Sequence, residues 1–118
     1  MKKFLAILCV ASVLTSAMFA APKKTKTKGT KIGVSMPTKD LQRWNQDGAN
    51  MKAQLRKAGY KVDLQYAAND IPTQVSQIEN MVTGNCKVLV IAAIDGSAIK
   101  NPLEQAKKKG IKVIAYDR

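Results

Sequence analysis

The sequence predicts an α/β domain built on an open parallel sheet with helices on both faces. Three observations carry this. Four apolar runs of strand length are separated by three segments with helical spacing between residues 31 and 116, which is the alternation of a parallel sheet. The run at 87–93, KVLVIAA, is almost unbroken in its apolar character, as a strand covered on both faces requires. Each helical segment closes at a glycine, Gly59, Gly84 or Gly110, where the chain can turn back towards the sheet.

In chain order, KIGVSM at 31–36 reads as the first strand, ended by Pro37. Asp40 then offers an N-cap, and Leu41, Trp44, Met51, Leu55 and Ala58 recur at helical spacing until Gly59. In KVDLQY at 61–66, Val62, Leu64 and Tyr66 alternate with polar residues, as in a second strand. Asp70, Ile71 and Pro72 open a second helix with Val75, Ile78 and Val82 on one face. The third strand is 87–93. A third helix over 96–109 turns Ile99, Leu103 and Ala106 inward, with Pro102 in or just after its first turn. IKVIAY at 111–116 is the fourth strand.

The N-terminus has a different character. Met1-Lys2-Lys3, the apolar run FLAILCVASVL and the small residues around Thr15-Ser16-Ala17 and Ala20-Ala21 form a secretory signal peptide over residues 1–20. Its apolar run is too short to span a bilayer. Residues 21–30, including PKKTKTKGT, have the composition of a solvated Lys-rich linker. The expected domain therefore runs over 31–118. Leader and linker absorb much of the net charge of +12, since from Ile32 onward 13 basic residues stand against 8 acidic ones. With no aromatic residue interleaved in the basic arm, nucleic acid is not an expected partner.

The chain has no histidine, so His-based metal sites and Ser-His or Cys-His catalysis are excluded. Cys9 lies in the leader without a lipobox, and Cys86 is the single remaining thiol, so no disulfide or zinc spacing arises within the mature chain. No cofactor is expected. PTKDLQRW stands where a dinucleotide-binding chain would carry its glycines, and there is no phosphate-loop lysine.

In open parallel sheets, ligands sit outside the carboxyl ends of the strands. That rule gathers Met36, Lys39, Arg43 and Trp44 after strand one, Asp95 after strand three, and Asp117 and Arg118 after strand four. A pyranose suits such a set. Arginines give planar forks of donors to hydroxyls, carboxylates accept from them, and an aromatic ring can lie against the C–H face. The same residues admit plainer roles: Trp44 as a packing residue, Asp117 with Arg118 as a strand-end ion pair, and Asp95-Gly96 as a turn or cap.

KIGVSMPTKDLQRW, DIPTQVSQIENMV, KVLVIAAIDG and GIKVIAYDR, in that order, resemble the N-terminal lobe of periplasmic sugar-binding proteins of ABC transporters. The likeness is to the xylose-binding and ChvE-like multiple-sugar-binding group within the type I periplasmic binding proteins. It covers nearly all of the chain from Lys31. The resemblance implies a non-enzymatic, two-lobed periplasmic protein that closes on a monosaccharide and delivers it to a membrane permease, sometimes also to a chemoreceptor. It implies sugar contacts at Arg43, Trp44, Asp117 and Arg118, with Trp44 stacking on the ring and Met36, Lys39 and Asp95 nearby. Because these proteins build half of their pocket from a second lobe, a chain ending at Arg118 is expected to be a truncated lobe or fragment. Two other readings share the fold. One is the ligand-sensing domain of a LacI-type transcription regulator, which would need a helix-turn-helix where the leader and linker stand. The other is a flavodoxin-like enzyme, which would need a nucleophile–base pair or metal cluster.

Overall fold

The computed structural model describes residues 29–117. The expected leader, most of the linker and Arg118 lie outside the described residues. The predicted open parallel sheet is present. Strands β1 (Lys31–Met36), β2 (Lys61–Tyr66), β3 (Val88–Ile91) and β4 (Lys112–Ala115) lie in the order β2-β1-β3-β4, every neighbouring pair parallel. Helices α1 (Gln42–Lys57), α2 (Ile71–Thr83) and α3 (Lys100–Lys108) connect them.

The two-residue period of β1 divides the core. Ile32, Val34 and Met36 point to one face, where they meet Trp44 of α1 together with Val90 and Ala92. Gly33 and Ser35 point to the other face. There Ile78, Met81 and Val82 of α2 pack with Leu89, Ile91, Ile99 and Ala106. A Cβ at Gly33 would stand 2.7 Å from Met81 Sδ and 2.9 Å from Leu89 Cδ2, so glycine at this position is what lets α2 press on the sheet.

Several element ends differ from expectation. Asp40 does not cap α1; its amide donates to Thr38 Oγ1 at 3.1 Å, and Leu41 holds the N-cap position without a side-chain bond. Leu41 and Ala58 are exposed, because the inward stripe of α1 runs through Trp44, Gly48, Met51 and Leu55. At α2 the expected cap is present, with the Asp70 carboxylate accepting from the Thr73 amide at 2.9 Å and from its hydroxyl. Helix α3 starts at Lys100 instead of 96, since Asp95 draws the chain into a turn by accepting from the amide and hydroxyl of Ser97 at 2.8 and 2.6 Å. β3 and β4 are shorter than predicted. The amides of Ala92 and Tyr116 still donate across the ladder, to Ser35 and Ile91, but no paired residue follows them.

Candidate functional site

β1 is flanked by β2 on one side and β3 on the other, so the chain leaves it in one direction through α1 and returns past it through α2. The two helices cover opposite faces, and the loops after β1 and β3 diverge. This is the switch point at which open α/β sheets form a crevice.

A buried glutamine sets the floor of that crevice. Gln74, fully buried on α2, donates from Nε2 to Ser35 Oγ and to the Ala92 carbonyl, both at 3.0 Å, and its Oε1 accepts from the Ile94 amide at 2.8 Å. One side chain thus ties the ends of β1 and β3 to the start of the following loop. The loop after β2, with Ala68 and Asn69 at positive φ, donates from the Asn69 amide to the Pro37 carbonyl at 2.7 Å and supports the β1 loop from the other side.

At the rim, Arg43 in the first turn of α1 meets Asp117 beyond β4, with Nη2 2.5 Å from Oδ1. Asp117 has φ 61°, a left-handed conformation that aspartate tolerates, and this turn coincides with its carboxylate meeting Arg43. Asp47, one helical turn after Arg43, lies 3.8 Å from its Nε and accepts from the Tyr116 hydroxyl at 2.9 Å. The hydrogen bond and charge of Asp117 hold the Arg43 guanidinium further above its already high pKa. Bonding to Asp47, ahead of desolvation, raises the pKa of the Tyr116 phenol. The result is a chain of contacts, Tyr116 to Asp47 to Arg43 to Asp117, that sets a cation between two carboxylates while 57% of the Arg43 side chain stays exposed.

The sequence-predicted residues divide accordingly. Arg43 and Asp117 are brought together. Lys39 is exposed and leans towards the end of β2, its Nζ 5.9 Å above the Tyr66 ring. Asp95 is exposed and committed to its turn with Ser97, whose hydroxyl and amide hold its carboxyl below the usual range. Met36 is fully buried beneath the rim. Arg118 lies outside the described residues. Trp44, expected as an open wall for a sugar ring, is 3% exposed in the described residues and packed with Met36, Val34 and Val90, and the Arg43 guanidinium lies 4.8 Å from its ring centroid. In this arrangement it packs beneath the rim. Asp47, Tyr116 and Gln74 escaped the sequence reading. Asp47 alone left a signal, its spacing of four from Arg43 on one helix.

Residues 32–118 match the family model described as periplasmic binding protein domain. Among curated proteins, the chain is 55% identical over 111 residues to the multiple sugar-binding periplasmic receptor ChvE of Rhizobium radiobacter, covering 94% of this chain and 31% of that protein. It is 38% identical over 117 residues to the D-xylose-binding periplasmic protein of Escherichia coli, covering 99% and 34%. Among solved structures, an ABC transporter solute-binding protein from Clostridium phytofermentans with bound β-D-glucose superposes with a TM-score of 0.74 at 68% identity, over 75% of this chain and 28% of that one. The chain spans about a third of the length of the curated relatives it matches.

Proposed function

The chain belongs to the periplasmic binding protein domain family, and from that premise we propose that it contributes one lobe of a monosaccharide-binding site serving an ABC-type importer of xylose or related aldoses. The observation that carries the reading is the Arg43–Asp117 pair, held open to solvent at the switch point of the sheet. Arg43 donates to sugar hydroxyls from a guanidinium already oriented by Asp47 and Asp117, so little side-chain freedom is lost when a ligand arrives. Asp117 accepts from hydroxyls in turn. Arg118, next in sequence, adds a second fork from the same strand end, while Lys39 and Asp95 flank the crevice. Trp44 and Met36 form an apolar floor that keeps Arg43 at the surface. None of these groups forms a nucleophile–base pair, and the reading is of binding and release without turnover.

The remaining parts of the proposal follow from the relatives. Residues 31–118 correspond to part of the N-terminal lobe, with a second lobe closing over the sugar, and delivery is to a membrane permease and, in some systems, a chemoreceptor. Residues 1–20 direct export to the periplasm, and 21–30 form a linker. Mass spectrometry of the exported chain should find the first twenty or so residues removed; an intact N-terminus would contradict that. The LacI-type regulator reading rests on the shared fold alone, and no observation favours it.

A direct test joins residues 29–118 to the remainder of the Clostridium phytofermentans protein, which the chain matches at 68% identity. Calorimetric titration of this chimera with D-glucose and D-xylose is expected to give saturable binding to at least one. A well-folded chimera that binds neither would overturn the proposal.

A further inference from the structure

Lysine opens β1 at Lys31, β2 at Lys61 and β4 at Lys112, and Lys87 stands directly before β3. Sheet order turns this sequence coincidence into a row. Lys31 is the register partner of Lys61, the Lys87 amide donates to the Lys31 carbonyl at 2.8 Å, and the Lys112 amide donates to the Lys87 carbonyl at 3.1 Å. Since neighbouring strands lie about 4.8 Å apart, Lys61, Lys31 and Lys87 stand side by side over about 10 Å, and Lys112, the register partner of Val88, extends the same edge from the opposite face of the sheet.

Two helices end at the same edge, α1 in Arg56 and Lys57 and α3 in Lys107 and Lys108. Those cations have a local reason, because they complement the negative ends of the helix dipoles. The strand-start row has none; like charges on adjacent strands repel. Lys31 Nζ reaches the Gly84 carbonyl at 3.4 Å, whereas Lys61, Lys87 and Lys112 are exposed. Carboxylates collect at the opposite end, where Asp47 and Asp117 make the two ion pairs found among the described residues. The domain is therefore polarised, with most of its lysines at the end remote from the candidate sugar site.

We propose that this basic edge is a docking surface for an anionic lipid bilayer. The charge complements such a surface, and the lysine-rich sequence at 23–28 joins the fold at Gly29, which lines the same groove as Lys31, Lys61 and Lys87. A single-stranded nucleic acid fits less well. It needs presented aromatic platforms, and Tyr60, which lies beside this edge, is packed against the core.

The test is co-sedimentation of the full 118-residue chain with vesicles of equal parts phosphatidylglycerol and phosphatidylcholine, beside vesicles of phosphatidylcholine alone. The wild-type chain is expected to prefer the anionic vesicles and to lose that preference as salt rises from about 0.05 to about 0.5 M. Lys61→Glu should lower the partition coefficient at least about tenfold, and Lys112→Glu should repeat the effect. Lys100→Glu, which makes the same charge change at the opposite end, should lower it by less than about threefold. Leader and linker are identical in all these chains, and circular dichroism checks that each folds. Equal losses for Lys61→Glu and Lys100→Glu, no preference for anionic vesicles, or tighter binding to a single-stranded oligonucleotide than to vesicles would each overturn the proposal.

Discussion

Arg43 and Trp44 are adjacent in sequence, but successive residues on an α-helix point about 100° apart. One therefore reaches the rim while the other enters the core. The residues alone left wall and packing open for Trp44, since its position on the inward stripe and its position near the rim are both true, and the family resemblance favoured the wall. In the described residues Trp44 is buried with the core. Trp44→Ala should cost about 3–5 kcal/mol of stability, read from urea or thermal melting; a variant that melts like the parent would show that the ring contributes little to the core. That Arg43 and Asp117 gather at one rim was legible because each lies just beyond a strand's carboxyl end, but their ion pair was not, since the sequence offered Arg118 as the partner of Asp117. The Tyr116–Asp47 bond was not, because it joins residues 69 apart in sequence through tertiary contact alone.

Element by element, strand and helix identities were legible from periodicity, and the misplaced boundaries lie where polar side chains redirect the backbone. Asp70 caps α2 as expected, whereas Asp95, a residue of the same chemistry, makes a turn that delays α3 to Lys100. The Thr73 hydroxyl, followed by its amide, holds the Asp70 carboxyl below its ordinary pKa. A lowered folded-state value means that the stabilisation is present above the unfolded value and is lost as pH falls through the folded one. Asp70→Asn keeps a capping oxygen but cannot titrate, so the parent should lose more melting temperature than the variant between about pH 5 and about pH 2. Parallel acid limbs would contradict this. Gln74 could not be foreseen, since a glutamine on an apolar helix face gives no sign of its partners. Gln74→Leu fills similar space but leaves the Ala92 carbonyl and Ile94 amide without their partner, and should cost about 2–4 kcal/mol in a melting experiment. A cost below about 0.5 kcal/mol would mean that the clamp is dispensable.

For the whole molecule, composition reported a net charge but not its polarity, because strand order is what lines up the lysines. Strand order also decides which strand lies at the edge. β4 is one edge of the sheet, and its Val113 and Ile114 are 39% and 51% exposed. Under the proposed function, the crevice at the carboxyl ends of β1, β3 and β4 holds a monosaccharide through Arg43. The most direct measurement titrates the chimera and its Arg43→Ala variant with whichever sugar the chimera binds, and melts the same samples. An affinity loss of about ten- to a hundredfold with melting almost unchanged is expected; equal affinities for the two proteins would remove Arg43 from the sugar site.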